Sequence, residues 1–207
     1  MSDSGTDAPG PAGVGTGRTP SREVEQALVD AAERVLVRDG LAGLTVRAVA
    51  TEARVAPMGV YNRFGSKEAL IAAVLVRGFD ELREAVAGDP DPDPVRRLLA
   101  SGRNYRRFAL TRPRHYNAMF GQRPTDSVET PELAEHGAAA FEALVEHVRY
   151  AVAAGALREG DPYELAQLIW SAVHGAVSLE LAGAVLTPDP EATYEALLRL
   201  IVDGLAA

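Results

Sequence analysis

A chain of 207 residues with 47% apolar content is long enough to enclose one medium or two small hydrophobic cores, and reads as a folded globular protein. The absence of cysteine removes disulfide frameworks and thiolate metal sites, and four scattered histidines do not make a metal cluster; with no apolar run of about 18 residues and no secretory leader pattern, a cytoplasmic protein with no cofactor and no membrane partner is expected. The net charge of −8 argues against a generic nucleic-acid binder, yet residues 18–78 hold nine Lys/Arg against seven Asp/Glu, so the acid excess lies elsewhere in the chain.

Residues 1–17, "MSDSGTDAPGPAGVGTG", contain five Gly and two Pro and almost nothing apolar, which predicts a disordered tail. Beyond it apolar residues recur at three- and four-residue spacing without β-branched alternation, so an all-α chain is expected. Helices are predicted near 20–39, 45–53, 57–63, 66–87, 94–112, 113–121, 131–154, 162–185 and 190–205. Four starts share one device: Asp93-Pro94, Thr130-Pro131, Asp161-Pro162 and Asp189-Pro190 each offer a capping oxygen followed by a proline at the first helical position. The alternate prolines of "DPDPDP" at 89–94 forbid helix and strand alike and mark a boundary.

Between Thr45 and Arg63, "TVRAVATEA", "RVA" and "PMGVYNR" make two short helices joined by a tight turn, the helix-turn-helix spacing. Val46, Val49, Val55, Val60 and Phe64 supply an apolar underside, and small Ala50 lets the helices cross closely. If the second helix enters a major groove head-first, its leading residues must be small or able to bond base edges, and Pro57, Met58 and Gly59 are small or slender. Thr45, Arg47, Tyr61, Asn62 and Arg63 can reach backbone oxygens on the same side. Lys67 follows the capping candidate Ser66 in the first turn of the next helix, where a cation opposes the macrodipole unless a phosphate lies beside it.

The run "RDGLAGLTVRAVA" followed by "VAPMGVYNRFGSKEAL" resembles the TetR family of bacterial transcriptional repressors, from the first helix to the start of the fourth, with Gly40, Leu44-Thr45, Ala50, Val55, Tyr61, Phe64, Lys67 and Leu70 in register. The family's usual turn glycine and capping Ser or Thr are replaced here by Arg54 and Ala56. A non-glycine residue at positive φ and a missing cap each cost about 1 kcal/mol, part of which Pro57 offsets by presetting helical φ.

In residues 162–185, Ser171, Gly175, Ser178 and Ala182 form a strip of small residues that permits close approach of another helix, beside Trp170, His174, Val177 and Leu181. "WSAVHG" resembles the Trp-x-x-x-His-Gly motif of a TetR subgroup with its own type of C-terminal domain. The resemblance implies a homodimer through the last two long helices and an inducer pocket among the middle ones, for which Tyr105, Phe108, Tyr116, Met119, Phe120, Phe141, Trp170 and His174 are candidate walls. A packed core is the competing reading for each of these. His115, beside Arg112 and Arg114, is expected to be solvated.

The organisation that follows is a tail at 1–17, a helix-turn-helix DNA-binding domain at 18–65 and a ligand-binding and dimerisation domain at 66–207, linked by helix 66–87. The function expected is a non-enzymatic repressor on double-stranded, palindromic operator DNA, released by a small, mostly apolar inducer. Two alternatives stay open: a small-molecule-binding dimer that has lost DNA binding, suggested by Arg54 and Ala56, and a helical enzyme using a pocket histidine, which leaves Lys67 and the helix-turn-helix unexplained.

Overall fold

The computed structural model describes residues 21–121, 128 and 130–207, so the tail expected at 1–17 lies outside the described residues. Among these, nine helices follow one another: α1 Ser21–Gly43, α2 Val46–Ala53, α3 Pro57–Phe64, α4 Lys67–Ala87, α5 Pro94–Thr111, α6 Pro113–Phe120, α7 Pro131–Ala153, α8 Pro162–Leu181 and α9 Pro190–Leu205.

The helix starts are fixed by the side chains that the sequence marks. Asp93 accepts from the amides of Val95 and Arg96, Thr130 from Leu133, Asp161 from Tyr163 and Asp189 from Ala192, each with proline in the first turn. Thr45 and Ser66 cap α2 and α4 in the same way, accepting from Ala48 and Ala69. Each such cap contributes about 1 kcal/mol to its helix.

Helix ends follow a second rule, and here one boundary moves. α8 stops at Leu181, four residues short of the 185 expected, because Gly183 takes a left-handed conformation (φ +67°). The Ala184 amide then reaches back to the Leu179 carbonyl at 2.9 Å and that of Gly183 to Glu180 at 3.0 Å, the paired bonds of a Schellman cap. α1 is interrupted at Gly40 (φ 71°, ψ −176°), so its last turn is offset from the regular helix that ends near the predicted 39.

Helices α1 to α3 close over Leu28, Val35, Leu36, Leu44, Val49 and Val60, all at most 2% exposed. α4 starts in this head, burying Leu70 and Val74, and continues into the body, where Phe79, Leu82 and Val86 are buried; its most extensive packing is on α7. One contiguous apolar cluster therefore runs from Leu28 to Leu205. α6 lies against both α1 and α4, touching the head from the side of the body.

Candidate nucleic-acid interface and ligand cavity

The turn between α2 and α3 is a Schellman cap like that after α8, with arginine in the glycine position. Arg54 sits at φ 57°, ψ 42°, its amide bonds the Thr51 carbonyl at 3.2 Å, and the Val55 amide bonds that of Ala50 at 2.9 Å. The left-handed region costs a non-glycine residue about 1 kcal/mol or more, so the turn is formed against the preference of its central residue. α3 then begins at Pro57 with no side-chain cap from Ala56, leaving its first-turn amides without a side-chain acceptor.

Val60, fully buried, pins α3 to the head. The opposite side of the helix is open: Pro57, Met58, Gly59, Tyr61 and Asn62 are exposed, Met58 to 65% and Tyr61 to 46%. A Cβ added at Gly59 would meet nothing nearer than Val55 at 3.9 Å, so nothing in the chain itself requires glycine there, although glycine inside a helix costs about 1 kcal/mol. Val55 departs from the expected underside and is 41% exposed, because it occupies the residue after the left-handed turn and not a helical position.

The cations of the head fall into two groups. Arg34 and Arg38 are held by Glu52 at 2.7 and 2.9 Å, and these two guanidiniums keep the Glu52 carboxyl below the usual carboxylate range. Arg63, expected on the DNA side, is half-buried against Glu25 of α1. Arg47, Arg54 and Lys67 are exposed and form no ion pair with any described residue. Arg47 and Arg54 share a shallow surface depression with Thr51, Arg38 and Glu52, the last engaged by Arg34 and Arg38, and Lys67 opens α4 directly after the Ser66 cap.

In the body, a cavity of about 300 Å³ lies between α4, α5, α6, α7, α8 and α9, at the small end of the roughly 300–1,000 Å³ that ligand sites occupy. Its wall is formed by Phe79, Leu82 and Val86 of α4, Leu98, Ser101 and Tyr105 of α5, Met119 and Phe120 of α6, Gly137, Ala140, Phe141 and Leu144 of α7, Ile169, Trp170 and Val173 of α8, and Leu198, Ile201 and Val202 of α9. None of these carries a charge. Trp170 joins two sides of the wall, its ring 5.9 Å from Phe141 and 6.1 Å from Phe120.

A polar cluster backs one end of the cavity. The Tyr105 and Tyr116 hydroxyls lie 3.0 Å apart and 2.9 and 2.8 Å from His174 Nδ1, and Trp170 Nε1 donates to Tyr105 at 3.3 Å. Burial holds His174 below its ordinary pKa and raises both tyrosines, so all three are neutral at pH 7. A neutral imidazole with its proton on Nε2 accepts one tyrosine proton at Nδ1 while the second tyrosine donates to the first, so both hydroxyl protons are used.

These two sites match known proteins along most of the chain. Residues 28–74 fit the model of the bacterial regulatory proteins of the tetR family, and residues 98–201 fit that of the tetracyclin repressor-like C-terminal domain. An uncharacterized HTH-type transcriptional regulator of Mycobacterium tuberculosis, Rv0681, is 30% identical over 192 residues, covering 90% of this chain and 83% of its own. The chain belongs to the TetR family. A second regulator of that organism, Rv1816, is 26% identical over 93% of this chain and 97% of its own. A solved structure from Rhodococcus sp. RHA1, a protein of unknown function, superposes with a TM-score of 0.80 at 25% identity, over 94% of this chain and all of that one.

For this TetR family regulator the structure brings together most, not all, of the residues singled out by sequence. Arg47, Pro57, Met58, Gly59, Tyr61, Asn62 and Lys67 are exposed on the head, whereas Thr45 is half-buried with its hydroxyl spent on the α2 cap. Of the eight candidate ligand residues, Tyr105, Met119, Phe120, Phe141 and Trp170 line the cavity. Tyr116 and His174 stand behind Tyr105 as its hydrogen-bond partners, and Phe108 is buried without reaching the cavity.

His115 corrects an expectation. It is 5% exposed, buried where α6 meets α1, with Nε2 3.8 Å from Glu33 Oε1. Among the described residues neither atom has a hydrogen-bond partner, although Arg77 Nε forms an ion pair with the same Glu33 oxygen at 3.3 Å. The flanking arginines suggested solvent, but Arg114, one position away on the helix, points elsewhere, and Arg112 lies in the non-helical junction between α5 and α6 (φ −130°, ψ 53°) and turns to Glu81 of α4. Sequence reasoning also missed the cavity walls from α4 and α9, Phe79, Leu82, Leu198 and Ile201, whose apolar stripes look like ordinary core.

Proposed function

We propose that this regulator is a homodimeric, cytoplasmic repressor that grips a palindromic operator through α3 and is released when a small, mostly apolar ligand enters the cavity. The observation that carries the reading is the free face of the head: an uncapped, exposed helix start at Pro57, Met58 and Gly59, flanked by Arg47, Arg54 and Lys67 with no acidic partner among the described residues. Unpaired cations suit phosphates, and a helix start without side-chain bulk suits close approach to base edges.

The dimer is supported by the outer face of α8 and α9. Leu168, Leu179 and Leu200 are 56%, 55% and 68% exposed, and a Cβ at Gly175 or Gly204 would meet nothing within 4 Å. Exposed leucines with gaps between them form a surface suited to a second copy of the same helices. The Trp170, His174 and Gly175 motif continues to suggest the subgroup likeness stated above.

Coupling runs along α4, a helix of 21 residues and so about 30 Å long, with Lys67 at one end and Phe79, Leu82 and Val86 in the cavity wall. A ligand that fits one tilt of α4 better than another shifts the spacing of the two reading heads, and it does so only by its difference in affinity. The role is binding and not catalysis: His174 is occupied by two tyrosine hydroxyls and His115 lies away from the cavity.

The test is an electrophoretic mobility shift on DNA upstream of the protein's own gene. A retarded complex that an organic extract of the host cells dissolves is the expected result. No retardation at micromolar dimer would leave a ligand-binding dimer without DNA binding.

A further inference from the structure

Taking the cavity as the inducer site, we propose that it selects an uncharged lipophile bearing one hydrogen-bonding group, such as an alcohol, ester or ketone, and refuses the carboxylate of the same skeleton.

The wall holds no cation, and the reason lies in the register of α5. Leu98, Ser101 and Tyr105 face inward, so Arg103 and Arg106 point away from the cavity, and Arg97, one turn before Ser101, is drawn aside to the buried His147; each is occupied. Arg97 donates to His147 Nδ1 at 2.8 Å, Arg103 makes two bonds of 2.7 Å to Glu195, and Arg106 makes two of 2.8 and 2.7 Å to Glu180. His174, beside the wall, is kept neutral by burial and gives its Nδ1 to the tyrosines, and His147, whose Nε2 donates to the carbonyl of the wall residue Val86, is likewise held below its ordinary pKa by burial. A carboxylate entering this space loses its hydration and gains no counter-charge, which disfavours it by roughly a hundredfold or more against a neutral analogue.

The polar capacity left for a ligand is narrow. The Tyr105 hydroxyl, although at the wall, is engaged by Tyr116, His174 and Trp170. Ser101 lines the cavity, is 3% exposed to bulk solvent, and forms no hydrogen bond with any described residue. Its hydroxyl both donates and accepts, so it serves a carbonyl, an ether or a hydroxyl equally, and one such group is all it satisfies.

Trp170 is the single tryptophan of the chain and lines the cavity, so its fluorescence reports occupancy directly. The full-length protein is titrated at pH 8 with decan-1-ol, methyl decanoate and sodium decanoate. The two neutral probes are expected to give saturable changes, with decanoate weaker by roughly a hundredfold. Ser101→Ala should weaken decan-1-ol about five- to tenfold. Gly137→Leu, whose Cβ would meet Phe79 first, at 3.8 Å, and whose side chain would extend into the cavity, should abolish all three signals.

Decanoate within tenfold of decan-1-ol, no saturable change with either neutral probe, or an unchanged alcohol affinity in Ser101→Ala would overturn the proposal. Repeating the titration on operator-bound protein separates it from the reading on which it rests. Decan-1-ol that binds without loosening the operator contradicts an inducer role but not the selectivity; decanoate that binds and releases operator contradicts the selectivity alone.

Discussion

Arg54 shows how one residue carries two demands. The chain closes Schellman turns after α7 and α8 with Gly155 at φ +68° and Gly183 at φ +67°, and at the same position after α2 it uses arginine at φ 57°. Strain kept at an exposed position points to function, and on the function proposed above Arg54 would contact a phosphate beside Arg47. Arg54→Gly should therefore raise stability by up to about 1 kcal/mol while weakening specific and random DNA alike and lowering the slope of log K against log salt by about one unit. Denaturant melts and salt-dependent anisotropy read the two effects. Unchanged DNA affinity would reduce Arg54 to an ordinary turn residue.

His147 gives a second test at this scale. Its Nδ1 accepts from Arg97 at 2.8 Å and its Nε2 donates to the Val86 carbonyl at 2.8 Å, which fixes a neutral tautomer. Burial lowers its pKa below the ordinary value. As pH falls below about 6.5, the unfolded chain takes up a proton at this residue before the folded one does. Stability from this group is full above that pH and is lost on acidification toward the folded-state value. His147→Gln, which can keep one acceptor and one donor, should flatten that part of the melting temperature profile between pH 7 and 5. An unaltered slope would place the acid sensitivity elsewhere, with His174 the next group to vary.

Among the elements, α3 is short and its identity rests on what it leaves uncovered. Gly59→Leu should leave thermal stability nearly unchanged, because the new side chain has only Val55 near it, and should abolish specific DNA binding by holding the backbone off the groove. Calorimetry and a gel shift on the same sample decide it; retained affinity would mean that this end of α3 does not face DNA.

Helix starts were the most legible feature of the sequence, since Asp-Pro and Thr-Pro pairs act locally and their capping bonds form as expected at Asp93, Thr130, Asp161 and Asp189. The end of α8 was less so: "ELAGAV" is apolar enough to continue a helix, and only the left-handed Gly183 ends it. An apolar stripe also says which face turns inward without saying whether packing or empty space lies beyond. That is why Phe141 and Trp170 reached the cavity while Phe108, on an equally convincing stripe, is core. Tyr105, Tyr116 and His174 were legible as candidate pocket residues, but not their mutual hydrogen bonds, which join α5, α6 and α8 across up to 69 residues.

The whole molecule carries two contrasting surfaces: the exposed cations Arg47, Arg54 and Lys67 around the start of α3, and an exposed apolar face on α8 and α9. Gly175 lies open on that face, so Gly175→Trp does not strain the protomer, and sedimentation should show folded monomers. Operator affinity should then fall by roughly the hundredfold or more that two linked half-sites add over one. A dimer that persists would move the interface off this face.

The central claim is that two copies of this head read one symmetric DNA site, and DNase I footprinting of the region upstream of the gene tests it most directly. A protected window with two-fold symmetry is predicted, its half-sites about one helical turn or a multiple apart, absent for Gly59→Leu and shrinking as decan-1-ol is added. Uniform protection of the whole fragment, or none at concentrations where the protein is dimeric, would contradict it.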